Sequence, residues 1–125
     1  MVWEEALELI NNNIYSGLEL NPELTYRRLV IESPPYLCRR FNYLQGFKVQ
    51  IGQNTFIEVP IEMLQNIFNA SLQNNNIYNR NVFRYCYPGL GDNSTGHGCY
   101  IHTIGKIFQI SHVCALLNSR HYSIL

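Results

Sequence analysis

Cysteine and histidine residues are concentrated in the second half of the chain, where they could bind a metal ion. The cluster consists of Cys86, His97, Cys99, His102, His112 and Cys114. Thiolate sulfur and imidazole nitrogen are preferred ligands of zinc. If Cys99 opens a helix, it shares a face with His102, and His97 can reach the same ion from the preceding loop. No cofactor is expected from the sequence as a whole; if the cluster binds a metal ion, that ion is zinc, with His97, Cys99 and His102 as the predicted ligands. Cys86 and Cys114 lie on apolar faces and are expected to fill core, as cysteine often does.

The same residues could instead form a nucleophilic site. Cys99 would supply the thiolate, with His97 or His102 as its base and Asp92 as the orienting carboxylate. The N-terminus of a helix lowers the pKa of a thiol, which is the chemical requirement. The glycine-rich loop at residues 88–98 could also present backbone N–H groups to an oxyanion.

Other enzyme classes lack their characteristic residues in this chain. Asp92 is the single aspartate, so the clustered carboxylates of a metal-dependent nuclease are missing. The loop at 88–98 does not end in the Gly-Lys-Ser/Thr of a phosphate-binding P-loop, and no Gly-x-Gly-x-x-Gly follows a predicted strand. A binding protein is therefore expected ahead of an enzyme.

Acidic and basic residues are distributed unevenly along the chain. Residues 1–62 contain all eight glutamates against five basic residues, whereas residues 63–125 contain one acidic residue against four basic ones. The second half also holds all four histidines and three of the four cysteines. Such asymmetry suggests an anionic partner. The basic residues of this half are Arg80, Arg84, Lys106 and Arg120.

Two arginine pairs, Arg27-Arg28 and Arg39-Arg40, lie in the acidic half. The simpler interpretation is ion pairing with Glu23, Glu32 or the acidic first helix. The alternative is an aromatic and basic strip for phosphate or single-stranded nucleic acid. That strip would comprise Tyr36, Arg39, Arg40, Phe41 and Tyr43.

Hydrophobic periodicity predicts the elements that position these residues. Helices are predicted at residues 3–12, 60–72, 79–86 and 99–111, and a further short helix is predicted to begin near Pro22. A β-hairpin is predicted within 43–59, and an extended segment at 113–125 ends in a strand at His121–Leu125. Pro34-Pro35 predicts an extended break. Gly105 is expected to cost the last helix about 1 kcal/mol relative to alanine.

The order of the last three helices and the extended end resembles that of a winged helix-turn-helix domain. The resemblance covers residues 60–125. The segment Ile101–Phe108, followed by a tyrosine-bearing terminal strand, is similar to the recognition helix and wing of that family. The resemblance implies that the third helix faces a DNA major groove through His102, Thr103, Lys106 and Gln109. It implies that phosphates are bound by Arg80, Arg84 and Arg120.

Together these observations predict one α+β domain spanning residues 1–125. We expect the N-terminal helix and the hairpin to pack against a helical C-terminal half that ends in a strand. The predicted function is that of a small non-enzymatic DNA-binding or regulatory protein. Its alternatives are a protein-interaction or assembly module and, third, a thiol or zinc enzyme centred on His97, Cys99 and His102.

Compartment and assembly follow from composition. The first residues lack the basic and apolar segments of a secretory signal, and no apolar stretch is long enough to span a bilayer. Four irregularly spaced cysteines are then expected to be reduced thiols in the cytoplasm. Charged residues make up 14% of the chain and asparagine supplies much of the polar surface, so we expect uncharged patches and a homodimer.

Overall fold

A computed structural model describes residues 1–22, 28–90, 98–118 and 120–125, and at residues 98 and 99 it describes the backbone alone. The described helices are α1 (Trp3–Asn13), α2 (Ile61–Leu72), α3 (Arg80–Cys86) and α4 (Gly98–Ile110). The described strands are β1 (Val30–Cys38), β2 (Leu44–Gln50), β3 (Phe56–Pro60), β4 (Ile77–Tyr78), β5 (Cys114–Asn118) and β6 (His121–Ile124). The predicted α+β class is confirmed.

The four predicted helices, the hairpin and the terminal strand are confirmed to within about two residues. The helix predicted to begin near Pro22 lies largely outside the described residues. No helix in the described part of the chain has the length and apolar character needed to cross a membrane.

The chain divides into two compact units. The first, here called the helical unit, consists of Met1–Asn13 and Gln65–Leu125, and the second, the sheet unit, consists of Ile14–Leu64. The single domain over residues 1–125 stays a prediction.

The sheet unit is built on an antiparallel sheet in the order β1-β2-β3. Strand β1 runs through Pro34-Pro35, where a break was expected. The prolines are accommodated because β1 is an edge strand whose register against β2 shifts between Ser33 and Tyr36, so neither proline is paired with a residue of β2. The peptide bond between the two prolines is cis.

The helical unit contains a second antiparallel sheet, in the order β4-β6-β5. Its short strand β4 lies between α2 and α3 in the chain and pairs with the last strand, Ile77 opposite Ser123 and Tyr78 opposite Tyr122. Helix α4 packs on this sheet at Gly105, where a Cβ atom would lie 2.5 Å from the ring of Tyr122. Glycine is therefore required at this position by a close approach between the helix and the sheet.

Helix α1 belongs to the helical unit, where the Trp3 and Phe68 rings lie 5.6 Å apart. It brings Glu4, Glu5 and Glu8 into the same unit as the basic C-terminal half. Each unit consequently holds equal numbers of acidic and basic residues, four of each in the helical unit and five of each in the sheet unit. The charge asymmetry of the sequence halves is therefore absent from the folded units.

Candidate nucleic-acid interface

Helix α4 separates the predicted binding residues into an exposed group and a buried one. His102 is exposed, and Lys106 and Gln109 are half-buried, at positions i, i+4 and i+7 of one helical face. The Lys106 Nζ atom lies 3.4 Å from Gln109 Oε1, which confirms that these two side chains are neighbours. The opposite face of α4 contributes to the core through Tyr100, Ile104, Ile107 and Phe108.

Thr103 requires a correction. It was predicted to face a major groove, but its side chain is completely buried with the apolar face of α4. The spacing explains this, because position 103 lies one turn from both Tyr100 and Ile107. Its hydroxyl has no hydrogen-bond partner among the described residues. Thr103 is thus a core residue and does not belong to the exposed face.

Helix α3 carries two further candidates, Arg80 and Arg84. Both are exposed and are spaced four residues apart, so they lie next to each other on one face. The helix begins where Asn79 accepts a hydrogen bond from the backbone N–H of Val82, at 3.1 Å, as an N-cap residue does. On its inner side Val82 and Phe83 are buried.

Two contacts hold α3 and the strand before it against the first turn of α4. The Phe83 and Tyr100 rings stack with their centroids 6.1 Å apart. The buried Tyr78 hydroxyl donates a hydrogen bond to the backbone carbonyl of Ile101, at 2.7 Å. At the other end of α3, the Asn66 amide of α2 donates to the Tyr87 hydroxyl at 3.0 Å. Contacts with α4 and with α2 therefore hold in place the helix that carries the exposed arginines.

Arg120, the last predicted phosphate ligand, is exposed in the turn between β5 and β6. Its backbone N–H donates to Asn118 Oδ1 at 3.1 Å, and His121 Nδ1 lies 2.9 Å from the same oxygen. If the bond to His121 is made, its Nδ1 carries the proton, because the amide oxygen can only accept. Asn118 therefore shapes the turn that presents Arg120.

The predicted zinc ligands fall mostly outside the described residues, since these include neither His97 nor the side chain of Cys99. In the part of the chain that is described, no group of three or more histidine, cysteine or acidic side chains could hold a metal ion. His112 instead ends α4 in the left-handed conformation, with φ of 63°. The N–H groups of His112 and Val113 donate to the carbonyls of Gln109 and Phe108, as in a Schellman motif.

The three thiols that the structure describes are free and are poor nucleophiles. Burial raises the pKa of Cys38 to about 11 and that of Cys114 to about 12. Burial also raises the pKa of Cys86. An activated cysteine needs the opposite shift. Nucleophilic catalysis therefore finds no support at these three positions, while Cys99 lies outside the described side chains.

The arginine pairs of the sheet unit have different surroundings. Arg28 forms an ion pair with Glu19, a partner that the sequence analysis did not select. Arg39 and Arg40 form a short 3₁₀ turn after β1, and Glu58 of β3 holds this turn in place. The two Glu58 oxygens accept the backbone N–H groups of Arg39 and Arg40, both at 2.9 Å. The arginine side chains are left exposed.

Glu58 is 8% exposed, and its surroundings favour the ionised form. Burial alone would raise the pKa of its carboxyl group. The opposing effect is larger, because the N–H of Arg40, the hydroxyl of Tyr36 and the N–H of Arg39 donate to the carboxylate and the Arg40 charge is near. The net result is a pKa below the ordinary value. Burial is the largest single effect, and the three hydrogen bonds to the charged form together with the Arg40 charge outweigh it.

Glu58→Gln is expected to lower the free energy of unfolding at pH 7 by about 1–3 kcal/mol, because one backbone N–H loses its acceptor. A lowered folded-state pKa stabilises the protein above the unfolded-state value, about 4.3, and the effect disappears as the pH falls through the folded-state value. The difference between wild type and variant in urea titrations should therefore be largest near neutrality and shrink in acid. Glu32→Gln, at an exposed position of β1, is the matched control, and equal effects of the two variants would contradict this assignment.

Comparisons of the chain with protein-family models, with curated proteins and with solved structures produce no match. The function must therefore be inferred from the geometry of the chain's own residues.

Proposed function

We propose that the helical unit binds duplex DNA as a winged helix-turn-helix domain with a regulatory role. Helix α4 would be the recognition helix, and the β5–β6 hairpin would be the wing. The protein would bind DNA without catalysing a reaction.

The order and pairing of the elements support this proposal. A winged helix places a short strand between its first and second helices and a hairpin after its third helix, and the short strand pairs with the last strand. Residues 61–124 follow the same order, and β4 pairs with β6 in the sheet β4-β6-β5. The sequence pattern suggested the helices and the wing, whereas the two-residue strand β4 adds an independent point of agreement.

The observation that carries the proposal is the row of side chains on the outer face of α4. His102, Lys106 and Gln109 present hydrogen-bonding groups along two turns of a helix whose opposite face is buried. Base edges in the major groove are read by such groups, with lysine suited to guanine and glutamine to adenine. Arg80, Arg84 and Arg120 would contact phosphates and set the register of the helix.

The connection from α3 to α4, residues 87–97, is longer than the short turn usual in this family. Side-chain packing between the described residues supports the angle between the two helices. The Phe83–Tyr100 stack and the bond from Tyr78 to Ile101 supply that packing. The proposal requires these contacts to persist in the complex.

The proposal places the protein in the cytoplasm as a homodimer. Dimerisation would double the number of DNA phosphates that the protein contacts. Edge strand β5 offers apolar surface for the second copy, since Leu117 is 59% exposed. The free thiols of Cys38, Cys86 and Cys114 are in keeping with a reducing compartment. Light scattering coupled to size-exclusion chromatography tests the dimer, because it reports a molar mass near 29 or near 14.6 kDa, about two chains or one.

Fluorescence anisotropy of a labelled duplex tests the proposed function. Six arginine–phosphate contacts in the homodimer, three from each protomer, predict a slope of log K against log salt near −5.4, so affinity should fall about 2,000-fold between 50 and 200 mM salt. An absence of duplex binding at 50 mM salt would refute DNA binding and leave the protein-interaction module as the better explanation.

A further inference from the structure

The sheet unit presents one buried and one open sheet face. Residues opposite each other in the register share a face, and Ile31, Val49 and Ile57 lie on the buried one. On the other face, here called the open face, Lys48 of central strand β2 lies opposite Ser33 and Glu58. The open face also includes Tyr36, Gln50 and Phe56, and apart from Glu58 these side chains retain solvent exposure.

Two aromatic rings and a cation meet at the centre of the open face. The Lys48 Nζ atom lies 4.6 Å from the centroid of the Phe56 ring and 5.9 Å from that of the Tyr36 ring. Phe56 lies on β3 and Tyr36 on β1, so the rings flank the lysine from both neighbouring strands. Phe56 is 36% exposed, which leaves part of its ring accessible from solvent.

The 3₁₀ turn that contains Arg39 and Arg40, here called the arginine turn, lies next to the open face. Glu58 bonds the backbone N–H groups of Arg39 and Arg40 and also the Tyr36 hydroxyl, so all three residues lie around one carboxylate. The carboxylate is buried and engaged, whereas the two guanidinium groups are exposed and form no ion pair with another described residue. With Lys48, this region exposes three cations beside two aromatic rings.

We propose that the open face and its arginine turn bind single-stranded nucleic acid. Unpaired bases can stack on the Phe56 and Tyr36 rings, and the phosphates between them can be met by Lys48, Arg39 and Arg40. A duplex is excluded from this mode because its bases are already stacked against each other. The site lies in a different unit from the proposed duplex interface and does not depend on it.

Lys48 has to change partners when a strand binds. Its ammonium group lies over the ring face that a base would occupy. The flexible lysine stem lets that group move to a phosphate, so the cation–π contact is exchanged for a charge contact while the ring gains a base. In the unbound protein, the cation–π contact of Lys48 therefore covers the Phe56 ring, and this contact is weak enough for a base to displace it.

Anisotropy of fluorescein-labelled oligothymidylate at low salt tests the stacking part of the proposal. Phe56→Ala is expected to weaken binding roughly tenfold, the effect of losing one base–aromatic stack. Tyr15→Ala removes another exposed aromatic ring of the sheet unit, 59% exposed, and should leave affinity within about twofold. Circular dichroism checks that both variants fold, and Lys48→Gln, which removes the charge and keeps both aromatic rings, provides a second measurement.

The salt dependence tests the electrostatic part. Replacing both Arg39 and Arg40 by glutamine should reduce the slope of log K against log salt by about 1.4, and Lys48→Gln by about 0.7. Arg28→Gln removes the same charge from the exposed arginine paired with Glu19 and should leave the slope unchanged.

Three results would overturn the proposal: no oligothymidylate binding by the wild type, equal binding by Phe56→Ala, or a loss of binding in Lys106→Glu that matches the loss for duplex. The last result would place both ligands on α4. Failure of duplex binding with oligothymidylate binding intact would refute the function proposed for the helical unit and leave this site standing.

Discussion

Gly105→Ala is expected to destabilise the protein by about 1–2 kcal/mol, although alanine is the better helix former. An alanine Cβ would lie 2.5 Å from two carbons of the Tyr122 ring and 2.8 Å from its hydroxyl. The ring cannot move away easily, because Tyr122 is 4% exposed and packs 5.9 Å from Tyr78. The overpacking cost therefore exceeds the gain of about 1 kcal/mol in helix propensity.

Urea unfolding of the variant measures this effect, with Gly52→Ala as the control. At Gly52 an added Cβ would meet its nearest atom, of Thr55, at 3.8 Å, an ordinary contact, so little change is expected. Tyr122→Leu removes the obstructing ring. The double variant with Gly105→Ala should be more stable than the sum of the two single effects predicts. A stabilising Gly105→Ala would contradict the close packing of α4 on its sheet.

The combined change Arg84→Glu and Lys106→Glu is expected to weaken duplex binding by about 100-fold at low salt. Each reversal removes one favourable contact and places a negative charge against the DNA backbone. Arg84 is exposed and Lys106 half-buried, so the fold should be retained. Labelled-duplex anisotropy measures the loss.

Lys48→Glu is the control for this experiment, since it makes in the sheet unit the same reversal of charge that Lys106→Glu alone makes in the helical unit. It should leave duplex affinity within about twofold while abolishing the binding of oligothymidylate. If Lys48→Glu and the double reversal weakened duplex binding equally, the effect would be one of net charge, and the assignment of α4 to the major groove would be wrong.

The helices and the hairpin were predictable because their apolar residues repeat with clear periods. The same periodicity predicts that Thr103 is buried, because it lies on the apolar stripe of Tyr100, Ile104 and Ile107. Position on the helix, not polarity, decides which side chains face outward.

Other features depend on contacts between residues far apart in the chain. The need for glycine at position 105 arises from Tyr122 on another element, and the role of Glu58 arises from a turn about twenty residues earlier. Local patterns described Gly105 only as a cost to its helix. The charge asymmetry was misleading for the same reason, because α1 joins the basic half in one unit.

Some residues of the proposed binding sites are placed by local spacing, and others by contacts between distant parts of the chain. Spacing alone places His102, Lys106 and Gln109 on one face, whereas Arg120 is presented by a turn that Asn118 shapes. The open face around Lys48 depends on the register of three strands. The sequence predicted two of them, the strands of the hairpin, but not β1.

The central claim is that the helical unit docks α4 into duplex DNA. Amide chemical-shift mapping of ¹⁵N-labelled protein, titrated with duplex at low salt, tests it most directly. The proposal predicts that the largest shifts fall on α4 at His102, Lys106 and Gln109, with further shifts at Arg84 and Arg120. Shifts confined to the sheet unit, or none at saturating duplex, would contradict it.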